Sequence, residues 1–344
     1  MSITQQDIAK QLGISQRSVS VAFGGAGRIG EKTRQAILKA AEAHGYRPNR
    51  LASSLRTGQS GSIGVVWAFV NPWTGDSEIG MNLLQRIQNR GLTTYQVQHG
   101  DNRDVEMLRQ RLTELRSRRV DAVVIEGTPS ELMDEGVLDQ LRDVPAVAVC
   151  REDLPDFPGD LVIHDRFQAI GEVVDHFVAS GRSRLAMAIS LDEESNPGKM
   201  AAFRRRCREH GLPEHDAELI PLDFPESPRN HGERHGLAMR RKFPVDRDLG
   251  GVDAIFAFND VGAMYIIKDL KRRGLRVPED VAVVGFNNTE PAAVWDPPLA
   301  SGDRRFDEVA SNVEELLVGR LGNIHRPPQR ITIPMRFIHR ASAG

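Results

Sequence analysis

Three sets of residues in this chain have types and spacings that invite a chemical reading. His231 and His235 stand four apart, the separation that puts two imidazoles on one face of a helix for a zinc ion. The order between them is HGERH, however, and a zinc protease needs its glutamate directly after the first histidine. A solvated helix face is the better reading. Gly58, Gly61 and Gly64 resemble a phosphate-cradling loop, but they precede an apolar strand instead of following one, and no Walker sequence occurs. Cys150 and Cys207 lie far apart in the sequence and form neither a zinc-ligand cluster nor a disulfide framework, which fits a reducing cytoplasm. No paired carboxylates stand out, and no Ser-His-Asp arrangement follows from linear order. The expectation is a protein with no catalytic residues, no metal and no cofactor.

The charged residues are more informative. The first sixty residues hold nine Lys or Arg (Lys10, Arg17, Arg28, Lys32, Arg34, Lys39, Arg47, Arg50, Arg56) against Asp7, Glu31 and Glu42, while the whole chain carries a formal charge of −2. A basic head on an acidic body points to a nucleic-acid-binding module joined to a part with another task. With 344 residues, 40% of them hydrophobic and 27% charged, the chain is long enough for two or three domains with real cores. Its longest strongly apolar stretch, Ile63 to Val70, is far short of the roughly 20 residues of a spanning helix, and MSITQQDIAK has no signal-peptide pattern. A soluble, cytoplasmic protein is expected.

The head reads as three short helices. Thr4 followed by Asp7 predicts a capped start, with Ile8, Ala9 and Leu12 on one apolar face and Gly13 as the stop. Ser15 predicts the cap of a second helix in which Val19, Ala22 and Phe23 face inward, leaving Gln16, Arg17, Ser18 and Ser20 polar. A third helix over Glu31 to His44 buries Ile37, Ala40 and Ala41 and stops at Gly45. Two helices around a glycine turn, followed by a third, are the usual build of a DNA reader whose second helix enters the major groove. Beyond them, Asn49 to Leu55 suits a helix too short to stand alone, and the Gly- and Ser-rich stretch from Thr57 to Ser62 reads as a boundary.

The body alternates β-branched runs with amphipathic windows. Strands are expected over Ile63 to Val70, Thr93 to Gln98, Ala122 to Glu126, Ala146 to Cys150, Leu185 to Ile189, Ala254 to Phe258 and Val281 to Gly285. Helical windows fall between them, for example over Glu78 to Arg90, Arg103 to Arg118, Gln168 to Ser180, Val261 to Arg273 and Asp307 to Arg320. Such alternation means parallel sheets flanked by helices, and the count suits two lobes with a ligand cleft beyond the carboxyl ends of the strands.

The stretches DIAKQLGISQRSVSVAFGG and RIGEKTRQAILKAAEAHGYRPNRLASSLRTG resemble the head of the lactose-repressor family of transcription regulators. The likeness continues through NPW at Asn71 to Trp73, AIFAFND at Ala254 to Asp260, GLRVPEDVAVVGFNN at Gly274 to Asn288 and DPPLAS at Asp296 to Ser301. It implies an all-α three-helix DNA-binding head with a hinge helix, joined to an α/β two-lobed body like a periplasmic binding protein, with parallel sheets. The implied domains are residues 1–48, a hinge at 49–60 and a body at 61–344. Lobe one would cover about 61–159 and 295–320, and lobe two about 160–294 and 321–344. The resemblance further implies a homodimer on pseudo-palindromic operator DNA, acting as a repressor under control of a small-molecule effector such as a carbohydrate, with no membrane partner. A rival reading is a small-molecule-binding protein without operator specificity, whose head serves assembly.

Carried over position by position, the resemblance assigns Ser15, Gln16, Arg17 and Ser20 to base edges, where Arg17 suits guanine and Gln16 adenine. Val21 stands where many members have arginine and can meet only a thymine methyl. Asn49 caps the hinge helix, Leu55 is the residue that wedges a base step in the minor groove, and Arg56 lies beside it. For the effector, the resemblance assigns Trp73 and Phe256 as apolar walls, Arg151 as a hydroxyl or carboxylate clamp and Asn259 as a hydrogen-bonding side chain. Lys199 replaces a common arginine and cannot reproduce its fork; Asn287 and Cys150 replace common aspartates.

Overall fold

The structure, a computed structural model, describes residues 3–23, 27–46, 59–67, 76–98, 105–190, 196–212, 218–222 and 249–344. The chain divides into two units, Met1–Gly61 and Ser62–Gly344.

In the first unit α1 (Gln5–Leu12), α2 (Gln16–Ala22) and α3 (Glu31–Ala43) enclose a small core in which Ile8, Val19 and Ile37 are fully buried. The expected caps are present. The Asp7 amide donates to Thr4 Oγ1 at 3.3 Å and the Thr4 amide donates to Asp7 Oδ2 at 2.9 Å, a reciprocal box that satisfies two otherwise orphaned donors. Gly13 ends α1 at φ +64°, a conformation open to glycine at no steric cost. Ser15 opens α2, its hydroxyl accepting from the Ser18 amide at 3.1 Å. Gly30 gives α3 no side-chain cap.

The second unit contains β1 (Ser62–Trp67), α4 (Asp76–Asn89), β2 (Thr93–Gln98), α5 (Val105–Ser117), β3 (Ala122–Glu126), α6 (Pro129–Leu132), α7 (Glu135–Leu141), β4 (Ala146–Cys150) and β5 (Asp160–Asp165). It continues with α8 (Phe167–Ala179), β6 (Leu185–Ser190), α9 (Asn196–Glu209), β7 (Glu218–Leu222), β8 (Ala254–Ala257), α10 (Asp260–Arg272), β9 (Ala282–Asn287), α11 (Glu290–Val294) and β10 (Ala300–Asp303). The last elements are α12 (Phe306–Gly322), β11 (Arg330–Pro334) and β12 (Arg336–Ile338). Two six-stranded sheets result, with orders β11-β5-β4-β3-β1-β2 and β12-β10-β9-β8-β6-β7. The pairings of the first sheet are all parallel; in the second, β12 runs antiparallel to β10.

The expected lobe boundaries need correction. β5 pairs with β4, so the chain stays in the first sheet past residue 160 and crosses only after Asp165. β10 pairs with β9 in the second sheet, not in lobe one, and β11 returns to the first sheet beside β5. The crossings fall at strand ends, after β5, β10 and β11, because a parallel strand completes its ladder before the chain can leave the sheet. Helices α6, α7, α9 and α11 and strands β5, β7, β10, β11 and β12 lie outside the expected elements.

Strand alternation sorts the first sheet into two faces. Ile63, Val65, Trp67, Ala122, Val124, Val147, Val149 and Val162 pack with α4 and α12, while Val66, Val123, Ile125, Ala148, Leu161 and Ile163 pack with α5 and α7. The second sheet has one continuous core built on Phe177, Phe203, Phe256, Phe286 and Ile267. Among the described residues no helix is long and apolar enough to cross a membrane.

Candidate nucleic-acid interface and effector cleft

In the head, Ser15, Gln16 and Arg17 are exposed on the first turn of α2, the end that the capped glycine turn presents outward. The Ser15 hydroxyl is engaged by Ser18, while the exposed Arg17 carries a guanidinium fork of the kind that suits guanine. Ser20 and Val21 depart from expectation. They are only 6% and 5% exposed, in the last turn of α2, and a Cβ on Gly27 would lie 3.0 Å from Val21 Cγ2. Gly27 packs against Val21, and these two buried side chains do not share the open face of Gln16 and Arg17. Asn49, Leu55 and Arg56, the hinge residues, lie outside the described residues, as does Trp73.

In the body, two expected effector residues are occupied elsewhere. Phe256 is fully buried in β8, with the rings of Phe203 and Phe286 at 6.3 and 5.8 Å, so it is core and not a cleft wall. Asn259 is the N-cap of α10: its Oδ1 accepts from the Gly262 amide at 2.8 Å, which commits its acceptor to the helix start. Cys150 packs in the core on the α5 and α7 face, and burial pushes its thiol pKa up.

Of the other expected residues, Asn287 and Arg151 lie at the carboxyl ends of strands and Lys199 lies on a helix. Asn287 ends β9 at φ +107°, an uncommon conformation for a residue with a side chain, and is nearly buried. Lys199, on α9, is also nearly buried and holds its ammonium 5.0 Å from the centroid of Phe286, the neighbour of Asn287, so its charge is met by a ring face. Arg151 follows β4 directly, and its Nε lies 3.5 Å from Glu152.

Three residues that sequence reasoning missed lie between these groups. Arg304 follows β10 of the second sheet, yet its Nη2 is 3.5 Å from Glu126 Oε1 at the end of β3 and 3.4 Å from His164 Nδ1 near the end of β5. Both partners continue the α12 face of the first sheet. A guanidinium only donates, so His164 Nδ1 accepts and the ring proton sits on Nε2. Burial, reinforced by the charges of Arg304 and Arg166, holds His164 well below the usual imidazole range and therefore neutral. Among the described residues its buried Nε2 has no hydrogen-bond partner. Glu78 on α4 sits at the same junction. Burial raises its pKa, its carboxylate accepts from the Glu290 amide on α11, and Glu290 and Asp303 add repulsion.

Asp260, the first residue of α10, is fully buried. Its carboxylate accepts from the Ser301 hydroxyl at 2.5 Å, the Thr289 amide at 2.7 Å and the Thr289 hydroxyl at 2.9 Å, tying α10 to β10 and to the turn after β9. Burial outweighs these bonds and lifts its pKa to about 6. Among the described residues no three His, Cys, Asp or Glu side chains are grouped to hold a metal ion, and His231 and His235, read from the sequence as a solvated helix face, lie outside them.

A helix-turn-helix head with an exposed second-helix start, followed by one all-parallel sheet and one parallel but for its edge strand β12, defines a two-part class of protein. Residues 4–49 match the family described as "Bacterial regulatory proteins, lacI family", and residues 174–343 match "Periplasmic binding protein-like domain". The chain is 27% identical to the HTH-type transcriptional regulator DegA of Bacillus subtilis (strain 168) over 351 aligned positions, covering 100% of this chain and 99% of that one. It is 25% identical to the HTH-type transcriptional repressor PurR of Photorhabdus laumondii subsp. laumondii, covering 98% and 96%. In fold it is similar to the lac repressor dimer solved with operator and the anti-inducer ONPF, with a TM-score of 0.80 at 21% identity over 100% of this chain and 99% of that one.

The chain is a DNA-binding transcriptional regulator whose head matches the lacI family of bacterial regulatory proteins and whose body matches the periplasmic-binding-protein-like domain, and these relatives are regulators, not enzymes.

Proposed function

We propose that the chain is a cytoplasmic repressor that binds a pseudo-palindromic operator as a homodimer, one head per half-site, and that a small molecule between the two sheets of the body controls it. The observation that carries this reading is the exposure of Gln16 and Arg17 on a helix start fixed by the Ser15 cap, since these side chains have the donor patterns that read adenine and guanine. Two heads on one two-fold axis match two half-sites by symmetry. Relatives named as repressors and a similar structure solved as an operator-bound dimer support it.

The effector site of this reading lies at the carboxyl ends of the strands, with Arg151, Lys199 and Asn287 as its polar residues and Trp73 as its aromatic wall. Asn49, Leu55 and Arg56 form the hinge that orders on operator. The effector acts by binding one arrangement of the lobes more tightly than the other, which sets how far it can move the equilibrium. The test is the ratio of specific to nonspecific affinity of the full chain for duplex DNA at fixed salt, because nonspecific binding alone is also steeply salt-dependent. A ratio of roughly 10³ or more supports the regulator. A ratio near one would leave a small-molecule-binding protein without operator specificity.

A further inference from the structure

Two neighbouring residues at the carboxyl end of β9 stand in backbone conformations that side chains rarely adopt, Asn287 at φ +107° and Asn288 at φ +54°. Such conformations cost free energy and persist only where the surroundings over-determine them. What holds this turn is a buried joint around Asp260. The carboxylate accepts from the Thr289 amide and hydroxyl on one oxygen and from the Ser301 hydroxyl on the other. Ser301 in turn accepts from the Asn288 amide at 2.9 Å, so one hydroxyl links the turn, the carboxylate and β10.

The rest of the fold closes around the same point. Arg340 donates to Asn288 Oδ1 and to the Leu299 carbonyl, both at 2.7 Å, which fastens the turn to the approach of β10 as well. Ser301 lies opposite Gly285 in the β9–β10 ladder, and a Cβ on Gly285 would collide with Asp260 Oδ1. Beyond Ser301 the strand runs to Asp303 and leaves the sheet. Arg304, the next residue, reaches Glu126 and His164 of the first sheet, and Phe306 opens α12 in the core of that sheet. The joint thus stands between the turn that bears Asn287 and the segment that crosses between the lobes.

Resting on the proposed reading of Asn287 as an effector residue and of the lobes as what the effector controls, we propose that Asp260 and Ser301 are positioning residues of the regulatory site. They lock the Asn287 turn to β10, so that the turn and the lobe crossover at Arg304 move as one unit. Their part is to transmit, not to contact the ligand. Coupling of this kind is carried by hydrogen-bonded and packed groups in contiguous elements, and a double-mutant cycle is the direct test of it.

The experiment is such a cycle on the full chain, read as affinity for a duplex carrying the site that the natural chain enriches from random DNA, at one pH and salt concentration. Ser301→Ala and Arg304→Gln should each shift that affinity by about fivefold or more, and the double variant should shift it no further than the larger single change, the mark of one shared link. Phe177→Leu, which trims the core of the second sheet on α8, should stay within about twofold of the natural chain. If Ser301→Ala does not fold, Thr289→Val, which removes one hydroxyl and keeps the shape, takes its place, as Glu126→Gln does for Arg304→Gln. Single shifts that multiply in the double variant, no shift in either, or an equal shift in Phe177→Leu overturns the proposal. Hydrogen exchange of the same proteins without DNA separates this failure from that of the regulator reading. In Ser301→Ala the amides of Asn288 and Thr289 should exchange faster together with those from Asp303 to Phe306. Faster exchange confined to the turn overturns the joint, whereas a joint response in a chain that enriches no site supports the joint and counts against the regulator alone.

Discussion

Asp160 and Arg320 form a bidentate ion pair in the interior of the first sheet's lobe, with Nε to Oδ2 and Nη2 to Oδ1 both at 3.0 Å and both side chains nearly or fully buried. Arg326 and the Gln329 amide add further donors to the same carboxylate. The pair ties the first residue of β5 to the last turn of α12 and to the approach of β11, so it fastens the strand that returns from the second sheet. Asp160→Asn would leave two guanidiniums without their charge partner. The loss expected is about 3–5 kcal/mol of body stability, the cost of breaking a buried pair from one side. Denaturant unfolding of the variant checks it; a loss below 1 kcal/mol would mean that water replaces the carboxylate.

Arg17→Ala should weaken operator binding by roughly 1–3 kcal/mol and relax preference at one position in each half-site, because a bidentate contact is lost and no core is touched. Val21→Ala should act differently. Since Val21 is packed under Gly27, it should lower the stability of the head with little change in base preference. Thermal unfolding of the head and a base-substituted operator series distinguish the two.

Asp260 gives the body a pH dependence of definite sign. Burial lifts its carboxyl to a pKa of about 6 in the fold, above the ordinary aspartate value of 3.8, so the fold favours the protonated form. The stability it contributes is full below pH 3.8 and is lost as pH rises through about 6. Asp260→Asn keeps an oxygen for Thr289 and removes the titration. The melting temperature of the natural chain minus that of the variant should fall between pH 4 and 6.5; parallel curves would show that Asp260 ionises freely in the fold.

Phe256→Ala should cost about 3–5 kcal/mol as a cavity in the second sheet's core, and Asn259→Ala about 0.5–2 kcal/mol as a lost cap. Neither residue touches the effector on this reading. Where the variants remain folded, effector affinity should change less than it does in Lys199→Ala. A loss of affinity in Phe256→Leu, with the core intact, would return that ring to the cleft.

Much of this was legible in the sequence because local signals agree with the fold. Thr4 with Asp7, Gly13 and Ser15 place the head helices, and the alternation of apolar runs with amphipathic windows gives the parallel sheets. The strands that escaped are short or broken by polar residues. β5 begins with Asp160 and ends in His164 and Asp165, both ends being spent on ion pairing and on the crossover, and β10 is ASGD, with no β-branched residue. The misassigned effector residues have a related cause. A phenylalanine in a parallel strand is equally consistent with a cleft wall or a core buried on both faces, and Asn259 at a helix start can spend its oxygen on the cap. Glu126, His164 and Arg304 are distant in the chain and meet only because the crossing after β10 carries an arginine to the first sheet, a juxtaposition that no local pattern encodes.

The most direct measurement is a selection of random duplex DNA by the full chain at near-physiological salt, run side by side with Arg17→Ala and sequenced. The result expected is a near-palindrome enriched by the natural chain, with preference for guanine lost at one symmetric pair of positions in the variant. No enrichment, or the same enriched site from both proteins, would contradict the reading of operator DNA by the start of α2.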